Sequence, residues 1–109
     1  MILSFLSLQR MHSPTFFGTV IPAEFRFRTL LKDVLVLTRA TIDPSAPANA
    51  HSRLILSIDK DVAPIAEVDG QMSTTVPLNI QLMPGVDIEF TVRGNAPVHL
   101  VGFYEPIGI

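Results

Sequence analysis

The sequence predicts an all-β domain, a sandwich or closed barrel built from seven or eight short strands. Apolar and polar residues alternate with a period of two in several segments, most clearly over residues 86–93, and this period indicates half-buried strands. Turn signals rich in Gly, Pro, Asn and Asp recur about every 8–12 residues, which is typical of sandwiches and barrels. Outside residues 1–10, no segment has the apolar period near 3.6 that an amphipathic helix requires.

The predicted strands are separated by short breaks. They are placed at residues 16–21, 25–30, 34–42, 53–58, 62–68, 76–82, 86–93 and 98–104. Pro22 ends the first strand or marks it as an edge strand. Pro64 implies an edge strand or a bulge, because proline cannot donate a hydrogen bond to a neighbouring strand. Residues 34–37 are apolar on both faces, so we expect both faces to be buried.

The connections between these strands carry recognisable turn chemistry. Residues 43–50 contain two prolines and several small residues without periodicity, and are predicted to form a loop. Asp59-Lys60-Asp61 is predicted to form a tight turn between antiparallel strands. Asp69-Gly70 is a turn signal for which a type I′ hairpin is one option. Residues 83–104 are predicted to form a β-hairpin, because Gly94-Asn95-Ala96-Pro97 supplies a turn between two strands. One face of this hairpin is expected to be apolar and buried, and the other is expected to be charged.

Length and composition exclude several classes of protein. The chain of 109 residues is long enough for one domain with a hydrophobic core, and we assign residues 14–106 to it. A net charge of −2 means that the chain lacks the excess of basic residues typical of proteins that bind nucleic acid directly. Cysteine is absent, and no apolar run reaches the roughly 20 residues of a membrane span. Charged residues are 17% of the chain, against roughly 25% in average domains, so we expect uncovered apolar surface and self-association.

The two termini are set apart from the predicted domain. Residues 1–13 are rich in apolar side chains but lack the positively charged start and the cleavage site of a signal peptide. We expect them to be a flexible or spurious extension, with Met11 as an alternative start. Residues 107–109 are expected to begin a further C-terminal region.

The sequence contains no catalytic, metal-binding or cofactor-binding motif that we recognise. His12, His51 and His99 are far apart and lack metal-ligand spacing. His99 is expected on the strand face opposite the core, as a surface or interface residue. No serine lies in a nucleophile elbow, and turns and close strand packing explain Gly85 and Gly102 better than a phosphate-binding loop does.

Carboxylates occur in two kinds of position. Asp87 and Glu89 share a strand face with Thr91 and Arg93, which favours a solvated or salt-bridged surface over a catalytic pair. Other carboxylates gather at the ends of predicted hairpins: Asp43, Asp59, Asp61, Glu67 and Asp69. They are either a patch for a basic partner or ordinary turn residues that cap and solubilise, and the residues alone favour the second interpretation.

Three stretches follow one another in the order and spacing of a known family. Phe16-Phe17-Gly18 opens a strand similar to that family's N-terminal Phe-Trp-Gly strand. Residues 76–90 resemble its Ile-Pro segment, glycine turn and following strand, and residues 98–104 resemble its closing Val-x-Leu-x-Gly-Tyr strand. Over residues 14–106 the chain thus resembles the nucleoplasmin-like core domain, most of all the N-terminal domains of nuclear FK506-binding immunophilins and plant-specific histone deacetylases. Phe17 replaces the usual Trp, and the acidic tracts of histone chaperones are missing.

The resemblance implies an eight-stranded jelly-roll-like sandwich that assembles into a ring pentamer, with a decamer as a further form. It implies a histone chaperone or chromatin-associated module of the nucleus or nucleolus, with core-histone dimers or tetramers as partners. No catalytic residue, metal, cofactor, nucleic acid or membrane is implied. The five hairpin carboxylates become candidate histone-binding residues. The candidate subunit interface is Val34, Leu35, Val36, Leu37, His99, Val101 and Phe103.

Three alternatives are considered. The chain could be the non-catalytic N-terminal oligomerisation domain of a nuclear FK506-binding peptidyl-prolyl isomerase, with the catalytic domain beyond residue 109. A plant-specific histone deacetylase is less favoured, because the Met-Glu-Phe-Trp-Gly start of that group is missing. The third alternative is an unrelated jelly roll that binds a sugar or another small ligand, and the absence of Trp and the single Tyr disfavour a stacking platform.

Overall fold

The computed structural model describes residues 15–105, which form eight strands in two antiparallel sheets and contain no helix. The strands are β1 (Thr15–Ile21), β2 (Arg26–Leu30), β3 (Val34–Ile42), β4 (His51–Ile58), β5 (Asp61–Asp69), β6 (Thr75–Leu82), β7 (Asp87–Gly94) and β8 (Val98–Glu105). Sheet A has the order β1-β8-β3-β6, and sheet B has the order β2-β7-β4-β5. The predicted strands and the all-β class are confirmed. Among the described residues, no helix is long and apolar enough to cross a membrane.

Consecutive strands mostly lie in different sheets. Only β4 and β5 are consecutive and paired, through the predicted turn at Asp59-Lys60-Asp61, which is confirmed. The predicted hairpin over residues 83–104 is wrong, because β7 pairs with β2 and β4 whereas β8 pairs with β1 and β3. Ile88 and Leu100 therefore belong to opposite sheets, and both are buried in the shared core. The alternation shows which side chains are buried, but it does not show which sheet a strand joins.

The turn at Asp69-Gly70 is also not a type I′ hairpin, since β5 and β6 belong to different sheets. The Asp69 side chain instead stabilises the connection that leads from β5 in sheet B to β6 in sheet A. One carboxylate oxygen accepts hydrogen bonds from the backbone N–H groups of Gln71, Met72 and Ser73, at 2.8, 2.7 and 3.1 Å. The aspartate thus satisfies three donors that no strand pairs, which is a common role for Asp in turns.

The core lies between the inward faces of the two sheets. A chain of aromatic rings crosses it: Tyr104 packs edge-on to Phe17 at 5.5 Å, Phe17 lies 6.3 Å from Phe27, and Phe27 stacks on Phe90 at 6.5 Å between ring centroids. Such arrangements stabilise a core beyond the burial of their area. Ser52 is the buried polar residue among those described, and its hydroxyl donates to the Ala96 carbonyl and accepts from the Ala96 N–H.

Irregular positions in the strands agree with the predictions made for proline and glycine. Pro64 lies on edge strand β5, where the register with β4 shifts between Leu54 and Ile55. Gly85 has a φ of 82° in the β6–β7 turn, a conformation that favours glycine. A Cβ added at Gly102 would lie 2.1 Å from the Val36 carbonyl oxygen, so close strand packing requires glycine there.

Candidate functional site

The outer face of sheet A carries exposed or half-buried apolar side chains on three of its four strands, beside Arg39 and His99. Phe16, Phe103 and Val36 are neighbours in one row across β1, β8 and β3. Phe16 is 73% exposed and Val20 is 50% exposed. We call this surface the apolar plate and define it as Phe16, Gly18, Val20, Val34, Val36, Val101 and Phe103. An exposed, contiguous apolar surface of this kind marks a contact site.

Gly18 shapes the apolar plate. A Cβ added at Gly18 would lie 2.7 Å from the ring of Phe16, so this ring lies along its own strand over the glycine. Gly18 is paired with Val101 on β8. The Phe16 ring therefore lies on the outer face beside Phe103 and the half-buried valines.

The structure divides the predicted interface residues between two environments. Val34, Val36, Val101 and Phe103 lie half-buried on the plate. Leu35 and Leu37 point into the core and are fully buried, because neighbouring residues in a strand face opposite ways. They are therefore not available to another subunit.

Phe16 and Val20 also lie on the plate, although neither is among the residues predicted for the interface. The signal was present, since Phe16 precedes the buried Phe17 by one residue and so faces outward. His99 does lie on the outer face, as predicted, and its Nε2 is 2.8 Å from the Asp43 carboxylate.

The outer face of sheet B is charged. Arg28 makes a two-pronged ion pair with Asp87, with a shortest distance of 2.5 Å. Its hydrogen bonds lower the pKa of Asp87. Arg53 and Arg93 face each other across β4 and β7, and carboxylates flank the pair on both sides, Glu67 beside Arg53 and Glu24 beside Arg93. The predicted salt-bridged surface on β7 is confirmed.

The strands run alternately up and down, so the turns collect at two ends of the sandwich. The end that we call the loop end contains residues 22–25, 43–50, 70–74 and 95–97. The opposite end, the hairpin end, contains residues 31–33, 59–60 and 83–86. The carboxylates at the two ends have different surroundings.

Carboxylates near the loop end are bonded within the domain. Hydrogen bonds from Ser45 and then from His99 lower the pKa of Asp43. The three backbone N–H donors described above lower the pKa of Asp69. The Gly94 N–H, at 2.8 Å, and then Arg93 lower the pKa of Glu24. These carboxylates stabilise turns and have little capacity left for an external cation.

Carboxylates near the hairpin end are mostly free. Within residues 15–105, five of them form neither a hydrogen bond nor an ion pair: Asp33, Asp59, Asp61, Glu89 and Glu105. Asp59 and Glu89 line one pocket of about 230 Å³ together with Arg28 and Ser57. No three His, Cys, Asp or Glu side chains of the described residues are placed to hold a metal ion.

The five predicted histone-binding residues are therefore not brought together. Asp43 and Asp69 lie at the loop end, and Glu67 lies near it, 3.2 Å from the His51 ring and 3.5 Å from Arg53. Asp59 and Asp61 lie at the hairpin end. Counting strands would have revealed this division, because turns after odd-numbered and even-numbered strands lie at opposite ends of such a fold.

Comparison with known proteins agrees with this geometry. Residues 16–105 match the family model of the nucleoplasmin-like domain, and the chain belongs to this family. It is similar to the nucleoplasmin-like N-terminal domain of Drosophila FKBP39, with a TM-score of 0.76 and 21% identity, over 88% of this chain and 93% of that one. It is also similar to the Drosophila NLP core, with a TM-score of 0.74 and 17% identity, over 85% and 97% of the two chains. The structure of that core was described as giving insight into pentamer formation and histone binding. A search of curated proteins finds no match.

Proposed function

We propose that this chain forms a homo-oligomeric ring, a pentamer, that binds core histones as a histone chaperone or chromatin-associated module of the nucleus. The domain itself is proposed to be non-catalytic. The observation that carries the proposal is the apolar plate, on which Phe16 is 73% exposed in the single chain. Family membership supplies the kind of assembly that would cover it.

Burial of the plate would supply the energy of assembly. Each Å² of apolar area removed from water contributes roughly 25 cal/mol. Phe16, Val20 and Phe103 are large side chains that gain this contribution only when another surface covers them. A ring repeats the same contact once per subunit and leaves no plate exposed.

Histones would bind through the hairpin end. The free carboxylates there can approach Lys and Arg side chains without breaking a bond inside the domain. One copy offers only a few charges, and single exposed pairs are weak. Five copies on one ring would bind by avidity, because each further contact is made at a high effective concentration.

Light scattering coupled to size-exclusion chromatography tests the assembly. We expect a mass of five chains, or ten for a stacked pair of rings, at micromolar concentration. A mass of one chain under these conditions would contradict the proposal.

A pull-down with purified core histones over a series of salt concentrations tests the binding. We expect retention at physiological salt that weakens as salt rises, because screening shortens the reach of exposed charges. The variant Asp59→Asn/Glu89→Gln should bind more weakly and remain a ring. The control Glu24→Gln/Glu67→Gln changes the net charge equally and should bind as the wild type does. Equal binding by both variants would exclude the hairpin end.

A second candidate function is favoured by the similarity to the FKBP39 domain. The chain would then be the non-catalytic N-terminal part of a peptidyl-prolyl isomerase. Sequencing the transcript beyond the codon for Ile109 tests this. An open reading frame that encodes an isomerase domain would support it, and an early stop codon would exclude it.

A further inference from the structure

Strand β2 is an edge of sheet B, and one of its two sides is unpaired. Among residues 15–105, β7 is its only partner strand. Two hydrogen bonds show which backbone groups face β7. The Val92 N–H donates to the Phe25 carbonyl, and the Leu31 N–H donates to the Val86 carbonyl. Backbone groups point alternately to the two sides of a strand, so residues 25, 27, 29 and 31 face β7.

The residues between them, Arg26, Arg28 and Leu30, present their backbone N–H and C=O groups to the free side of β2. Their side chains are exposed on the outer face of sheet B. An unpaired row of this kind is a template for a further strand. An extended segment of another protein can be added to such an edge through main-chain hydrogen bonds.

The other three edges of the two sheets are less suited to strand addition. Strands β5 and β6 contain Pro64 and Pro77, and proline has no N–H to donate to an added strand. Strand β1 has no charged residue and borders the apolar plate. Strand β2 contains neither proline nor glycine, so its row of donors is complete.

Arg26 gives the free edge of β2 a preference for negative charge. Three arginines on the outer face of sheet B have a carboxylate partner within the domain: Arg28, Arg53 and Arg93. Arg26 has no such partner among the described residues. A carboxylate on the same face of an added strand would supply one, whereas a basic side chain there would be repelled.

Apolar side chains lie uncovered at both ends of β2. Phe25 at one end and Leu30 at the other are each 61% exposed. Leu30 also borders a pocket of about 210 Å³ at the hairpin end, which can accept one apolar side chain of a ligand. The pocket is lined by Leu30, Leu31, Lys32, Asp33 and Tyr104.

We propose that β2 binds an extended segment of a partner protein in which acidic and apolar residues alternate. The acidic side chains would face Arg26, and the apolar ones would cover Phe27 and Thr29, which are half-buried on the inner side of the edge. A second copy of β2 does not fit, because full antiparallel pairing would place Arg28 opposite Arg28. This site needs neither the proposed ring nor the free carboxylates of the hairpin end.

Fluorescence anisotropy with a labelled, end-blocked peptide, Glu-Val-Glu-Leu-Glu-Val, tests this site on the full chain. We expect it to bind about fivefold more tightly than the same peptide with Lys in place of Glu. Two further peptides are methylated on alternate backbone nitrogens, one in each register. One should lose binding and the other should keep it, because only one side of an added strand faces β2. Equal behaviour of the two methylated peptides would overturn strand addition.

A pair of variants locates the site. Arg26→Glu should weaken binding of the acidic peptide about fivefold and strengthen binding of the Lys peptide. The control Arg53→Glu changes the net charge equally on the same face, but on the internal strand β4, and should bind both peptides as the wild type does. Both positions are exposed, and a cooperative thermal melt checks that each variant folds. Equal losses in the two variants would overturn the proposal, and so would the absence of binding to the wild type at millimolar peptide.

Discussion

The outer faces of sheet A and sheet B are built by the same alternation and differ in chemistry. On β8, the outward residues Val101 and Phe103 are apolar and half-buried. On β7, which takes the equivalent central place in sheet B, the outward residues include Glu89 and Arg93. Both strands send aliphatic and aromatic side chains inward to the same core.

The difference shows that the outward side chains of each strand are the ones free to carry function. The inward side chains are fixed by the need to fill one core, whichever sheet they come from. The outward side chains are fixed only by what lies beyond the sheet. Sheet B has charges suited to water, and sheet A has apolar groups suited to another protein surface.

The largest effect is expected from reversing the chemistry of the apolar plate. Val36→Glu places a charge on the outer face of sheet A, between Phe103 on β8 and Gln81 on β6. In an assembled ring this charge would be buried without a partner, at a cost of about 3–5 kcal/mol per contact. We expect complete loss of the ring, measured by light scattering.

The matched control for Val36→Glu is Thr91→Glu on sheet B. Thr91 is outward and half-buried on the central strand β7, and it pairs with Arg26. The new carboxylate has a basic neighbour and open solvent, so we expect the mass of the ring to be unchanged. Loss of assembly in both variants would mean that the two faces do not differ in the way described.

The next largest effect is expected on the stability of the fold, at the connection between β7 and β8 that joins the two sheets. Ser52→Ala removes the hydroxyl that satisfies both the N–H and the carbonyl of Ala96 between β7 and β8. Buried polar groups left without partners cost about 1–3 kcal/mol, and we expect a loss of this size in urea unfolding. Ser57→Ala, on the same strand but facing outward, should change the stability by less than about 0.5 kcal/mol. Equal losses would show that the Ser52 hydroxyl has no special role.

A pH series compares the loop end with the hairpin end. Hydrogen bonds hold the pKa of Asp69 below its ordinary value of 3.8. A depressed pKa contributes stability that is present above this ordinary value and is lost as the pH falls through the lower, folded-state value. We therefore expect the Tm of the wild type to fall below about pH 4, and Asp69→Asn to show a smaller fall.

The control for this pH series is Asp59→Asn, which removes the same charge at the hairpin end. The Asp59 carboxylate has no hydrogen-bond partner among residues 15–105, and Asn tolerates its φ of 53°. Its Tm should depend on pH as that of the wild type does. Parallel curves for the wild type and Asp69→Asn would contradict the role of the Asp69 hydrogen bonds.

Much of the fold was predictable because burial in a strand is a local property. The alternation over residues 86–93 identifies residues that the structure buries. In the two-sided apolar start of β3, Leu35 and Leu37 are buried, whereas Val34 and Val36 are half-buried in the single chain. The sheet that each strand joins was not predictable in the same way. Pairings such as β1 with β8 join residues far apart in sequence, and they depend on packing across the whole domain.

The candidate site was predictable in part for the same reason. Val101 and Phe103 were identified as outward residues, whereas Leu35 and Leu37 were assigned to the interface only because their segment is apolar on both faces. The exposure of residues 61–64 at the start of β5 was not predictable in this way, because local patterns do not show where one sheet ends above another.

The smallest effect is expected on the charged face of sheet B. Arg28→Ala removes the ion pair with Asp87, whose side chains are 70% and 43% exposed. Water and salt screen such a pair, so we expect the Tm to fall by no more than about 4 °C, and by less still in high salt. Arg26→Ala on the same strand is the control, since Arg26 has no ion-pair partner among the described residues. A large fall in Tm that persists in high salt would show that the charged face stabilises the fold. A small one would agree with charges that serve contact with water, whereas contact with another copy is the proposed reason for the apolar plate.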